Sequence, residues 1–377
     1  MLIYLGCFAV SVLLVSFSNK LKTKNQKRLI AYIGILLPCI LAGLRDESIG
    51  TDVLVYVKPI FTAAESTHSI SDFFNYNWFL SWRYKYVYEH EIGFTIFVYI
   101  ITKITGSFTA VLFSIQLFIN VFIYKGIKRI VSNKYVWLGI LTFYLMFYNN
   151  TLNMMRQWMA MSLLVFGFGY LLKNENSKYF ITVICACLFH LSAVFGLFVF
   201  TILKYVKNRH SYSNINNVKQ IIHFFIVILG SILFVFLASN IGNLLYAVGL
   251  GRFGIYLSGD FSLLPNQFLI RLPMFLILIW TWKEFKEKVI NCYFYLTVMW
   301  IDLVLSQLIS INPFAIRISY YFSYLFVFII PEITGSLKSK GKKLCVICLT
   351  IGYLAIYWWF FYVYKGSNET IPYMFNF

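Results

Sequence analysis

Acidic residues are scarce: the 377-residue chain holds 14 Asp and Glu against 32 Lys and Arg, and only 12% of it is charged. Soluble domains carry about twice that fraction, so a fully water-exposed surface cannot be assembled from this composition. No Asp-x-Asp pair, the kind of acidic cluster that holds a divalent cation, occurs. No internal repeat is visible, and repeats are the mark of many secondary transporters. The N-terminus lacks a basic, cleavable signal, so its first helix is expected to be retained. Cysteine is present but uninformative. Cys7, Cys39, Cys185, Cys187, Cys292, Cys345 and Cys348 lie in or beside apolar runs, where they behave as small core residues, and Cys345-x2-Cys348 opens an apolar run rather than a zinc or redox loop.

What is abundant is apolar and aromatic. The chain is 60% hydrophobic, with 39 Phe and 28 Tyr, and its mean hydropathy is +0.74. Apolar runs long enough, or nearly so, to cross about 30 Å of hydrocarbon cover residues 2–18, 29–44, 135–149, 152–172, 219–238, 266–282, 291–311, 314–335 and 344–364, with two more stretches at 91–124 and 179–203. The expected fold is an all-α, polytopic membrane bundle, a single transmembrane domain over residues 1–377 with about ten to twelve membrane helices. A net charge of +18 would suggest nucleic acid in a soluble protein. Here the cations sit mainly in short connections, so topology explains them and no nucleic-acid partner is expected.

Lys20, Lys22, Lys24, Lys27 and Arg28 lie between the first two apolar runs, which assigns that connection to the cytoplasm and makes 45–91 an external loop. Two full crossings between 91 and 124 would carry Lys125, Lys128, Arg129 and Lys134 outside, against the rule. An odd number of crossings between 45 and 124 repairs this, through a re-entrant half-helix broken near Gly106 or a further buried segment at 73–88. The half-helix is preferred, because Arg83 and Lys85 make 73–88 interfacial. Residues 179–203 enter and return, or form one tilted span. A second external loop is expected at 239–265, and a cavity opens to the outer face.

Under this topology Arg45 ends one helix, Arg156 begins another after an Asn149-Asn150-Thr151 turn, Arg271 and Arg317 begin two more, and Arg252 lies in the second external loop. A lone arginine at a helix end is as readily explained by snorkelling to headgroups. Five on the side that topology disfavours point to a polyanion such as pyrophosphate. Asn153, Arg156 and Gln157 fall at i, i+3 and i+4, one face of a helix start. His190, in an apolar stretch, reads equally as an interhelical hydrogen bonder or as a general base toward a sugar hydroxyl. Asp302 reads as the partner of another helix. Asp46, Glu47, Asp52 in Gly50-Thr51-Asp52 and Glu91 at the next helix start are further candidate bases, and for Asp46 and Glu47 the plainer reading is local pairing with Arg45. The aromatics from Phe73 to Tyr88 suit sugar stacking and an interfacial belt alike.

Four of these patterns occur in order. Arg45-x4-Gly50-Thr51-Asp52-x3-Tyr56, Glu91-x-Gly93-Phe94, Asn153-x2-Arg156-Gln157 and Phe189-His190-x-Ser192-Ala193 together resemble the EpsG family of bacterial exopolysaccharide proteins, related to Wzy-type polymerases. The likeness covers residues 40–200. Beyond it only Arg252 and Tyr256, in Gly251-Arg252-Phe253-Gly254-Ile255-Tyr256, and Arg317 before Tyr320 and Tyr321 carry it on. The resemblance implies a glycosyltransferase of the bacterial cytoplasmic membrane with its active face outward. Such an enzyme moves a growing glycan from undecaprenyl pyrophosphate onto a lipid-linked repeat unit, with no cofactor and no metal. Its pyrophosphate and substrate ligands would be Arg45, Tyr56, Asn153, Arg156, Gln157, Arg252, Tyr256, Arg271 and Arg317, and its base His190, Asp52 or Glu91. The implied partners are the lipid-linked oligosaccharide, membrane lipid, a flippase and a chain-length regulator. A glycan ligase with another acceptor, a lipid-linked oligosaccharide transporter and a non-catalytic assembly partner stay open as rivals.

Overall fold

The computed structural model describes residues 1–207, 216–249 and 251–376. They are almost entirely helical and fall into two compact units, residues 1–194 with 354–377, and residues 195–353. Among the described residues five helices are long and apolar enough to cross a membrane: Lys24–Gly43, Phe108–Ile130, Cys292–Ser310, Ala315–Ser336 and Lys340–Tyr364. The chain is a multi-pass membrane protein. The other apolar runs are shorter or broken, as at Leu2–Ser18 and Ile92–Thr105, and Phe225–Phe236 meets Ala238–Ala247 at 63°. The expected ten to twelve helices therefore appear as fewer uninterrupted spans, because several apolar runs are divided by kinks.

In the first unit α1 (Leu2–Ser18) and α2 (Lys24–Gly43) form a hairpin, with Thr23 capping α2 by accepting from the Gln26 N–H. Residues 45–91 then build a small layer: a π-helical turn at Val53–Val57, α3 (Lys58–Ser66), α4 (Ile70–Asn75) and an antiparallel pair, β1 (Asn77–Leu80) and β2 (Arg83–Tyr86). α5 (Ile92–Thr105) has 14 residues, about 21 Å of helix, short of the hydrocarbon thickness. Its far end returns to this layer, where Lys103 donates to the Thr67 carbonyl (2.6 Å) and Tyr99 meets the Phe73 ring. Gly106 ends α5 in the left-handed conformation (φ 59°), which glycine adopts without strain.

α6 (Phe108–Ile130) starts under the same layer, with Phe108 against Phe61 and Lys58, and crosses to the opposite end. α7 (Val136–Phe143) continues through a π-helical turn at Tyr144–Tyr148 into α8 (Asn149–Asn153). The chain reverses into α9 (Met155–Leu172), so that Trp158 packs on Phe143 and Phe147. α10 (Asn176–Cys187) folds back along α9. The basic connections gather at one end of this unit: Asn19 donates to the Asn133 carbonyl, Arg129 lies over the Phe166 and Tyr170 rings, and Lys178 lies beside Tyr170.

Asn149-Asn150-Thr151 is helical rather than a turn, and the break falls at Met154 (ψ 56°). Long-range partners hold these polar residues in the helix. Trp358 donates to Asn149, Asn149 donates to Thr370, and Tyr362 donates to Asn150.

The second unit begins with α11 (Gly196–Lys207), followed by α12 (Asn216–Phe236) and α13 (Ala238–Ala247). α14 (Gly251–Gly254) leads to α15 (Pro265–Lys288) and α16 (Cys292–Leu305), then α17 (Tyr320–Ser323) and α18 (Phe326–Ser336). The expected loop 239–265 is thus partly helical. α19 (Lys340–Trp358) passes from this unit into the first, where its last turns join a C-terminal tail. Lys338 pairs with Glu287 and Lys342 with Glu284, tying two basic connections together.

Candidate functional site

The first unit concentrates four separate sequence motifs at one end. Gly50 is left-handed (φ +85°), and a Cβ there would lie 2.4 Å from the Leu152 carbonyl oxygen, so only glycine lets the Gly50-Thr51-Asp52 turn seat on the end of α8. Asn153 then holds that turn: its Oδ1 accepts from the Thr51 hydroxyl (3.0 Å) and from the Asp52 N–H (3.1 Å). The π-helical turn that follows brings the Tyr56 hydroxyl back to donate to Asp52 Oδ2 at 2.7 Å.

Gly93 makes the second close approach. Its N–H donates to the Leu188 carbonyl (2.8 Å), and a Cβ would lie 2.7 Å from that oxygen. The start of α5 is thereby fixed against the tip of α10, where His190 stands. The Ser192 N–H donates to His190 Nδ1 (3.3 Å), and the Ser192 hydroxyl lies 2.6 Å from it. With Nδ1 accepting, the proton of the neutral ring belongs on Nε2.

Arg156 joins the two halves. It donates to Glu91 Oε2 at 2.5 Å, with 15% and 16% of the two side chains exposed, and its guanidinium stands over the Tyr56 ring at 4.2 Å. Its Nε has no hydrogen-bond partner among the described residues, an unmet donor on the same fork. Burial pushes the Glu91 carboxyl up, but the charge of the adjacent Arg156 guanidinium outweighs it and holds its pKa below the usual glutamate value. Burial, reinforced by Asp52, raises the Tyr56 phenol, which stays protonated as a donor. Asp52, Tyr56, Glu91, Asn153, Arg156 and His190 thus form one cluster, and the Gln157 side chain is buried. Trp78 stacks on His90 (5.6 Å, 9°), and His90 in turn lies 5.6 Å from the Tyr56 ring.

Three sequence expectations shift here. Asn153 lies across the Met154 break from Arg156 rather than one turn below it on a shared helix. Asp46 and Glu47 do not pair with Arg45: Asp46 accepts from the Ser48 hydroxyl and N–H, and Glu47 pairs with Lys58. Arg45 itself is 1% exposed. It donates to the carbonyls of Ala42 (3.0 Å) and Leu152 (3.2 Å), with Met155 Sδ at 3.4 Å, so it clasps the end of α2 to the end of α8.

In the second unit Arg271 pairs with Asp302 (2.8 Å) and with Gln267 (2.9 Å), deep in the packing. Asp302 is thus the partner of another helix, as its sequence position suggested. Arg317 lies over the Phe314 ring (4.9 Å), and Tyr256 meets that ring edge-on. The Arg252 side chain lies outside the described residues. Sequence reasoning gave no site role to His90, Asn150 or Asn368; of these, His90 stands directly before Glu91 and Asn150 lies in the Asn149-Asn150-Thr151 stretch before Arg156. No group of three or more His, Cys, Asp or Glu suited to a metal ion occurs among the described residues.

The EpsG family model matches residues 3–375, nearly the entire chain. No curated protein and no solved structure matches it.

Proposed function

The chain belongs to the EpsG family, whose members are membrane proteins of polysaccharide biosynthesis. From that premise we propose that it is a Wzy-type polymerase of the bacterial cytoplasmic membrane, acting at the outer leaflet. The substrate is a glycan carried on undecaprenyl pyrophosphate, and the acceptor is a second lipid-linked repeat unit.

One observation carries this reading: a mostly buried but still partly exposed Arg156–Glu91 pair stands beside Asp52 at the end of unit 1 opposite its basic connections. A pyrophosphate, with more charge and more acceptor oxygens than one carboxylate, takes the Arg156 fork from Glu91. Once there, the guanidinium stabilises the charge that develops as the bond from the anomeric carbon to the pyrophosphate oxygen breaks. The acceptor hydroxyl oxygen forms the new bond to that carbon. Undecaprenyl pyrophosphate leaves with the electron pair, and the hydroxyl proton passes to Asp52, oriented by Asn153 and Tyr56. Asp52 is preferred to His190 as base, because Nδ1 of that ring is engaged by Ser192. His190 and Ser192 instead hold the Glu91 side of the cluster, and Arg45 is the scaffold on which it is built.

The test is to supply detergent-purified protein with a defined undecaprenyl-pyrophosphate-linked repeat unit and resolve the products by size, beside Arg156→Ala. A ladder from the wild type alone supports the polymerase. A single adduct means a ligase, and unchanged substrate from folded protein refutes glycosyl transfer.

A further inference from the structure

The residues that orient Asp52 do not end at Asn153. Asn153 uses Oδ1 for the Thr51 hydroxyl and the Asp52 N–H, so its Nδ2 must find an acceptor, and it donates to Asn368 Oδ1 (3.3 Å). Asn368 is fixed in turn, because its Nδ2 donates to Asn150 Oδ1 (2.7 Å), which also accepts from the Tyr362 hydroxyl (2.9 Å). Each amide has one consistent orientation, set by the next. The backbone that presents Asn368 is unusual: Gly366, Asn368 and Glu369 all have positive φ (61°, 69° and 52°). For Glu369 such a conformation costs free energy that the surrounding contacts must offset. Those contacts are on both sides. Upstream Trp358 holds Asn149, and downstream Asp46 N–H donates to the Met374 carbonyl, Asn376 N–H donates to the Leu44 carbonyl, and Tyr373 donates to the Leu41 carbonyl. The tail is therefore laced to the segment that opens the candidate site.

We propose that Asn368, near the C-terminus, is a positioning residue for the site: through Asn153 it fixes the Thr51-Asp52 turn and so the aim of the Asp52 carboxylate. The catalytic half of this inference rests on the polymerase reading; the geometric half does not. Asp at 368 keeps an acceptor for Asn153 Nδ2, and a flip of the Asn150 amide supplies a donor to its second oxygen while Tyr362 turns to the Met146 carbonyl, already within its reach. Ala keeps neither.

The experiment compares full-length wild type, Asn368→Ala and Asn368→Asp in detergent. Hydrogen exchange at the peptide holding the Asp52 N–H is followed with steady-state polymerisation and melting temperature. In Asn368→Ala the Asp52 amide exchanges about tenfold faster, and kcat falls about 10-fold to 100-fold at little-changed KM. Asn368→Asp restores both. Wild-type exchange in Asn368→Ala overturns the proposal. So does an equal loss in both variants with an equally lowered melting temperature, which marks a packing role. Absence of a ladder from the wild type overturns the polymerase reading instead, and exchange still reads the relay.

Discussion

The two units each hold an arginine–carboxylate pair, and the pairs differ in what surrounds them. Arg271–Asp302 is sealed, with 7% and 3% of its side chains exposed, and Arg271 Nη1 donates to the carbonyl and the side-chain oxygen of Gln267. Arg156–Glu91 keeps twice the exposure or more, at 15% and 16%, and its neighbours are a phenol, an imidazole and a second carboxylate. Desolvation makes the first pair a fixed joint between α15 and α16, since neither charge can leave the other without standing alone in a low-dielectric interior. The second is the more exposed of the two, and on the proposed reading a stronger anion exchanges for Glu91. The same chemistry serves packing in the first place and, on the proposed reading, a ligand in the second, and accessibility is what separates them.

Breaking the sealed joint gives the largest effect. Asp302→Ala strands Arg271 and lowers stability by about 3–5 kcal/mol, read as a collapse of the melting temperature in detergent. Arg271→Met with Asp302→Leu returns most of that stability, because an apolar pair of similar size needs no desolvation. In the reachable cluster, Asp52→Asn keeps the fold and lowers kcat by about 10²-fold to 10⁴-fold, checked by the initial rate of ladder growth. Arg45→Ala removes the donor from the Ala42 and Leu152 carbonyls and costs about 1–3 kcal/mol, seen in the melting temperature. The smallest effect is in pH. The folded pKa of Glu91 lies below its ordinary value, so its contribution to stability is complete above about pH 4.3, the unfolded value. That contribution is lost as pH falls from there through the folded pKa. The melting-temperature gap between wild type and Glu91→Gln is therefore constant near neutrality and closes in acid.

Much of the first unit was legible in the sequence because its signals are local. The Gly50-Thr51-Asp52 turn and the basic connections flanking the apolar runs, which gather at one end, were visible there, whereas the close approach at Gly93 depends on Leu188, almost a hundred positions away. The helical state of Asn149-Asn150-Thr151 was not legible. Its polar residues favour turns on their own, and only partners more than two hundred positions away, at Trp358, Tyr362 and Thr370, keep them in a helix. Asn368 was hidden for the same reason. Arg45 looked like a ligand because its burial against Leu152 is tertiary, and the apolar runs overstated the uninterrupted spans because π-helical turns and kinks such as that at Leu237 leave little trace in composition. Asp302 was readable as a helix partner, but its mate was not, since spacing along one helix says nothing of its neighbour.

The most direct test of an exchangeable Arg156–Glu91 pair is the affinity of detergent-purified protein for undecaprenyl pyrophosphate, measured for wild type, Glu91→Gln and Arg156→Ala. The account predicts tighter binding by Glu91→Gln, where no carboxylate competes for the guanidinium, and loss of binding by Arg156→Ala. Equal affinity in all three would contradict it.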